Sequence, residues 1–313
     1  MKGKKNMKKL SVLAFAAALA VSAAAFTGCG NSSDNTEETS AAAETDAAET
    51  DAAETDAESA ADTEAAEGSD ETTAAGEDES LQKVLDSGEF VLGLDATFKP
   101  MGYTDENDEI VGFDIDVAEE VCNRLGVKLV KQPINWDTKE EDLNLGKIDC
   151  IWNGMSINAS REEAMNLSEP YMKNAMVFVV GEGSDIASQA DLSGKTVAVQ
   201  NGSTAQEILE DSGLDVTINA IATNVEALQQ LDLGLVDSVF LDSVVANYEI
   251  SSSGKAYTIL PDGLEEEEYA IGFRKNDNAL RDKVQETLSE MKADGALGEI
   301  SEKWFGSDIT IVE

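Results

Sequence analysis

Arg161 is a rare cation in an acidic chain. It stands in the stretch GMSINASREE, Gly154 to Glu163, and is the one arginine between Arg124 and Arg274. A guanidinium is a planar fork whose paired N–H groups match a carboxylate or phosphate. Ser160 followed three residues later by Glu163 predicts a capping box, and so a helix start. A cation in the first helical turn opposes the helix dipole by about 0.3 kcal/mol or more. Either the fold tolerates that cost, or the arginine serves an anion that arrives from outside. Other chemistries are excluded. The sequence has no histidine, which removes His-based triads and the usual zinc sites. GKT at Gly194–Thr196 has Gln189 where a phosphate loop needs its first glycine. DENDEIVG has Glu109 and Ile110 where a calcium loop needs other spacing, and reads as a turn between two short strands. No dinucleotide-binding glycine fingerprint occurs.

Such residues need a scaffold, and from Ser80 onward the composition supplies one. Short apolar runs (GEFVLGLDA, VKLVKQPI, KIDCIWNG, AMVFVV) alternate with helical patterns, among them GFDIDVAEEVCNRLG ended by Gly126. A second cycle follows: KTVAVQ, STAQEILEDSG, DVTINAI, NVEALQQLDLG, VDSVFLD, SVVANYEISSSG and AYTIL. After YAIGFRK come two more helical stretches. This alternation predicts an α/β layer structure with mainly parallel strands, as one large domain or two lobes. Cys122 falls on an apolar helical face and Cys150 inside a strand, so both read as buried small side chains rather than a disulfide.

The N-terminus speaks to location. MKGKKNMKKL is a lysine-rich start, followed by the apolar run SVLAFAAALAVSAAAF and then FTGC, with small residues before Cys29. The run is short for a permanent span. The pattern resembles a lipobox with Phe26 in place of the usual leucine. It implies a signal peptide over 1–28 and a lipidated Cys29, held to the membrane at about 0.8 kcal/mol per buried methylene. Next come tandem AAETD repeats with no Lys or Arg between Cys29 and Lys83. The stretch 29–80 is predicted to be a solvated, self-repelling acidic tether, reaching roughly 40 Å as a coil of about fifty residues. With 63 acidic residues against 22 basic ones, nucleic acid is not an expected partner.

Six stretches in order carry a wider likeness: GLDATFKPMGYTDENDEIVGFDIDVAEEV, GKIDCIWNGMSINASREEAMNLSEPY, DLSGKTVAVQNGSTAQEIL, LDSVVANY, YAIGFRKND and ADGALGEISEKWFG. Together, over Leu81 to Gly306, they resemble the polar amino acid class, family 3, of extracellular solute-binding proteins of ABC importers. The resemblance implies a periplasmic-binding-protein-like fold of two α/β lobes joined by two crossover hinge strands, with the ligand between them. The lobes would be 81–175 plus 270–313, and 176–269. It also implies a lipid-anchored, extracytoplasmic, monomeric binding protein that needs no cofactor. Its partners would be an L-amino acid (arginine, lysine, glutamine or another polar one) and a membrane permease. A dehydratase-type enzyme on the same scaffold is the competing expectation.

A free amino acid brings a carboxylate, an ammonium and a side chain, and a closing cleft must pair both charges because unpaired buried charge is costly. On the resemblance, Arg161 takes the carboxylate, completed by Ser156 and the N–H groups of Ser203 and Thr204 at a helix start. Asp242 accepts from the ammonium, and Phe98 and Trp136 flank the side chain. Asp95, Asn153, Gly154 and Gln200 complete the expected set. Gln200 departs from the basic residue of some glutamine binders. Taken without the resemblance, Phe98 and Trp136 read equally as core, Asp242 as a helix cap, and Arg161 as half of a surface ion pair. The leader yields one test. Cys29→Ser releases the protein to the medium or leaves an uncleaved precursor, with ligand affinity unchanged. A loss of affinity in the purified soluble domain shows that the tether does more than hold the protein in place.

Overall fold

The computed structural model describes residues 78–262 and 265–313. The predicted signal peptide, Cys29 and the acidic repeats up to residue 77 lie outside the described residues. The chain enters through α1 (Ser80–Ser87) and β1 (Glu89–Leu94). A small antiparallel sheet follows, made of β2 (Thr97–Phe98), β3 (Gly102–Thr104) and β4 (Ile110–Val111). Between β3 and β4 the DENDEIVG stretch folds as a turn. The Asp105 carboxylate accepts from the backbone N–H groups of Asn107 and Glu109.

Then come α2 (Phe113–Leu125), β5 (Lys128–Pro133), a 3-10 turn at Trp136–Thr138, α3 (Lys139–Asn144), β6 (Cys150–Ser156), α4 (Ala159–Ala164) and β7 (Asn166–Leu167). The long β8 (Met172–Val180) leads to β9 (Lys195–Gln200), α5 (Thr204–Asp211), β10 (Val216–Ile221), α6 (Asn224–Asp232), β11 (Ser238–Asp242), α7 (Ser243–Ser253) and β12 (Thr258–Ile259). The long β13 (Glu265–Phe273) returns the chain to α8 (Asn278–Asp294) and α9 (Ala296–Phe305).

The main sheet runs β10-β9-β11-β8-β13-β6-β1-β5, with β12 beside β8 and β7 beside β13. Two parallel triplets, β5-β1-β6 and β10-β9-β11, flank the antiparallel pair β8 and β13. Strands buried on both faces read as continuous apolar runs, which is why KIDCIWNG and VDSVFLD show no polar alternation. The pleat still sorts them. On β6, Cys150 and Trp152 pack with Phe113, Leu280 and Leu288 of the covering helices. Ile151 and Met155 join Leu143 and Trp136 on the other face. Where β8 meets β11 of the second triplet, Phe178 and Phe240 stack at 4.3 Å on one face. Val177, Val179 and Leu241 join the large cluster on the other.

One local expectation is corrected. Ser160 does not cap α4. Asn158 does, its Oδ1 accepting from the Arg161 N–H at 2.9 Å. The backbone leaves β6 extended through Asn158, at φ −151° and ψ 168°, so the helix starts earlier than the Ser160–Glu163 spacing predicts. Asparagine caps as well as serine does.

Cys122 and Cys150 are free and buried. Burial pushes the Cys122 thiol up to about 12 and the Cys150 thiol well above its usual value. Both thiols of the folded domain therefore resist an aromatic disulfide reagent and react once the domain is unfolded. Prompt reaction of either in the native protein, or no free thiol after unfolding, contradicts this packing.

Candidate functional site

The three antiparallel steps from β6 through β13 and β8 to β11 reverse strand direction. The C-terminal ends of the two parallel triplets therefore point toward a common middle. In α/β sheets the crevice outside those ends is where ligands bind. Each triplet sends its loops there. From one side come Asp95 and Phe98 after β1, Trp136 after β5, Asn153, Gly154 and Ser156 on β6, and Arg161 on α4. From the other come Gln200 at the end of β9, Ser203 and Thr204 at the start of α5, and Asp242 at the end of β11. These eleven residues, with Met176 of β8, line one pocket. The free space left between them is small, about 10 Å³, about what one water molecule needs.

Arg161 is 3% exposed. Its Nη1 donates to the Ser156 carbonyl at 2.7 Å, and its guanidinium carbon stands 6.0 Å from the Trp136 ring centre. Among the described residues no carboxylate lies within ion-pair distance of it. Burial lowers its pKa, opposed by the charges of Glu140, Glu207, Glu267 and Asp242. An arginine stays charged regardless. Opposite it, Asp242 precedes α7 but makes no side-chain cap. Its Oδ1 instead accepts from Tyr269 Oη at 2.6 Å and from Asn174 Nδ2 at 2.9 Å. Burial raises its pKa to about 6 against those bonds.

Polar contacts cross the pocket. Gln200 Nε2 donates to Asp95 Oδ2 at 2.7 Å, while Asp95 Oδ1 is held by the N–H and hydroxyl of Thr97. Asn158 Nδ2 donates to Glu207 Oε2 at 2.8 Å and to Thr204 Oγ1 at 3.2 Å. The buried Lys139 Nζ donates to the Gly202 carbonyl at 3.0 Å. At Gly202 the two sides come close enough to exclude a side chain. Its φ is +67°, and a Cβ there would stand 2.9 Å from Asp137 Cα. Gly154 is equally constrained, with φ +58° and a Cβ position 2.9 Å from the Phe98 ring. Its N–H donates to the fully buried Asp114 Oδ2 at 2.7 Å.

Several residues of this arrangement were not anticipated from sequence. Asp114 read only as part of an amphipathic helix and Lys139 as part of a polar one. Met176, Asn174, Glu267 and Tyr269 lie on β8 and β13, whose sequences read as plain strands. Glu267 and Tyr269 are two apart in EEEEYAIGF, hence on one face of a strand. A run of four glutamates gives no local sign of which one is buried.

The chain belongs to the bacterial extracellular solute-binding proteins, family 3, whose profile matches residues 90–307. It is similar to the L-cystine-binding protein TcyJ of Escherichia coli K12, at 27% identity over 232 residues, 74% of this chain and 87% of that protein. Among solved structures, it resembles a substrate-binding protein of an ABC uptake transporter from Streptococcus pneumoniae with bound histidine. There the TM-score is 0.72 at 37% identity, covering 75% of this chain and 98% of that one. It likewise resembles Tv2483 bound to L-arginine, with TM-score 0.71 and 33% identity over 75% and 98% of the two chains. The fold is the two-lobed one of these proteins, and the family and named relatives are solute-binding proteins, not enzymes. No helix among the described residues is long and apolar enough to cross a membrane.

The buried Asp242 carboxyl has a stability consequence. Its folded pKa, about 6, lies above the unfolded value of about 3.9. The fold binds its proton more tightly, so this contribution is present below about pH 4 and is lost as pH rises through about 6. Asp242→Asn therefore gains stability relative to the parent between about pH 4.5 and about pH 7.5, read as urea midpoints. A difference that does not change with pH contradicts the assignment.

Proposed function

We propose that this protein captures a free L-amino acid with a polar or cationic side chain and delivers it to an ABC permease. It works outside the cytoplasm, anchored by a lipidated Cys29. Its lobes are 81–175 with 270–313, and 176–269, closing about β8 and β13. The observation that carries this reading is Arg161, a buried guanidinium without an ion-pair partner among the described residues, facing a pocket whose far wall holds Asp242. That pair of opposite charges matches the carboxylate and ammonium of a zwitterion. The Thr204 N–H at the start of α5, which has no intrahelical partner, and the Ser156 hydroxyl, once it turns from Glu267, complete the carboxylate shell together with Ser203.

The amino-acid side chain lies along Phe98 and Trp136 toward Asp95 and Gln200. Asp95 is buried with no cation beside it among the described residues. This favours arginine or lysine, since a cationic side chain gains both the carboxylate and the aromatic faces. Glutamine and other polar amino acids are the rivals. The structural relatives that hold arginine and histidine agree with that preference.

Calorimetry with L-arginine, L-lysine, L-glutamine and L-aspartate, on the parent and on Arg161→Ala, tests the reading. The cationic ligands bind most tightly to the parent, and Arg161→Ala costs roughly 2–5 kcal/mol of binding. Arg161→Lys rescues poorly, because a point charge does not reproduce the fork. Equal affinity in Arg161→Ala and parent places the ligand elsewhere. Binding of aspartate alone overturns the cationic preference.

A further inference from the structure

Behind the pocket, on the two long strands, sits a second buried acid. Glu267 of β13 pairs in register with Asn174 of β8. Asn174 Nδ2 donates to Glu267 Oε1 at 2.6 Å and to Asp242 Oδ1 at 2.9 Å. One amide nitrogen thus holds an oxygen of each carboxyl group. Ser156 Oγ also donates to Glu267 Oε1, at 2.9 Å, while Glu267 Oε2 is buried with no hydrogen-bond partner. Asn174 is itself fixed, its Oδ1 accepting from Ser243 Oγ at 3.0 Å and Val244 N at 3.3 Å. Its NH₂ group therefore faces the acids and cannot flip to accept from them.

The charged and titratable groups around this pair are few. Arg161 of α4 acts on both acids. Tyr269 of β13 donates to Asp242 and has Tyr171 as a neighbour. The contacts from α7, Ser243 and Val244, are uncharged. Two ionised carboxylates on one amide, with one oxygen unpartnered and Arg161 the one cation acting on both among the described residues, are strongly disfavoured out of water.

We propose that Asp242 and Glu267 share a proton in the ligand-free protein, and that an ammonium docking on Asp242 expels it. This rests on the amino-acid reading above. The ligand's N–H groups replace the proton as the positive partner of the pair. A carboxyl O–H bond breaks, the proton goes to solvent, and nothing is oxidised or reduced. Burial sets the range, with Glu267 raised to about 7 by desolvation and then by the Asp242 charge, and Asp242 to about 6. The pair titrates as a unit across that interval. Because protons leave on binding, affinity rises with pH through the window and levels off above it. The same linkage means that acidification favours release of the amino acid.

The parent protein suffices for the first test. L-arginine and L-glutamine, whose charges hold constant across the window, are titrated calorimetrically at about pH 6.5 in two buffers of different ionisation enthalpy. The expected result is about half a proton or more released per ligand, with affinity rising several-fold from about pH 5.5 to about pH 7.5. Glu267→Gln keeps an oxygen acceptor for Asn174 and Ser156 but removes one titrating group. It binds with the proton release at about pH 6.5 cut by at least roughly half. Binding by the parent with no proton exchange overturns the shared proton and leaves the amino-acid reading standing. Undiminished release in Glu267→Gln also overturns it, since the proton then comes from elsewhere. If neither of these probes nor any other of the twenty amino acids or L-cystine binds, the amino-acid reading fails and this inference falls with it.

Discussion

A guanidinium removed from water must be answered by the protein or by what it binds, and around Arg161 the protein's answer is incomplete. One carbonyl accepts from it, an indole lies beneath it, and the carboxylates that offset its charge stand beyond ion-pair distance. Leaving a buried cation in that state is expensive unless something completes it. The surrounding design follows from that constraint. Asp242 is buried in the same pocket rather than paired with the arginine, so the two charges do not neutralise each other directly.

Holding two opposite charges apart in a buried pocket requires rigid walls, and the sheet provides them. Each wall is a set of strand ends, and the backbone hydrogen bonds of β6, β9 and β11 fix where their last residues point. The strand order then turns the two sets toward each other. Only β8 and β13 pass between them as long strands, and it is on these that Asn174, Glu267 and Tyr269 support Asp242. The charge chemistry of the pocket and the connection between its walls therefore share atoms. Glycine matters here for the same reason. At Gly154 and Gly202 the backbone adopts left-handed conformations, and neighbouring groups occupy the place of a Cβ.

Much of this was legible in the linear sequence. The alternation of apolar runs and amphipathic segments gave the α/β layers because hydrophobic period is a local property. The position of Arg161 at the head of a helix was local too, although the cap fell on Asn158 rather than Ser160 because the extended end of β6 set the helix start. All eleven residues that the resemblance implied line one pocket, in loops and at or near strand ends and helix starts.

Tertiary structure decided what depends on elements distant in sequence. Whether Arg161 would pair with a surface acid was open until its burial, and the lack of a close carboxylate among the described residues, argued against it. Asp242 lost its capping role because Tyr269, 27 residues away, and Asn174, 68 residues away, take its oxygen. Glu267 is hidden in a run of four glutamates, and only its register opposite Asn174 makes it a buried acid. The sequence by itself determined the element types, the family resemblance and the residues that bear charge. Only the fold decided which of those charges are dry, because desolvation is a property of the neighbours and not of the residue.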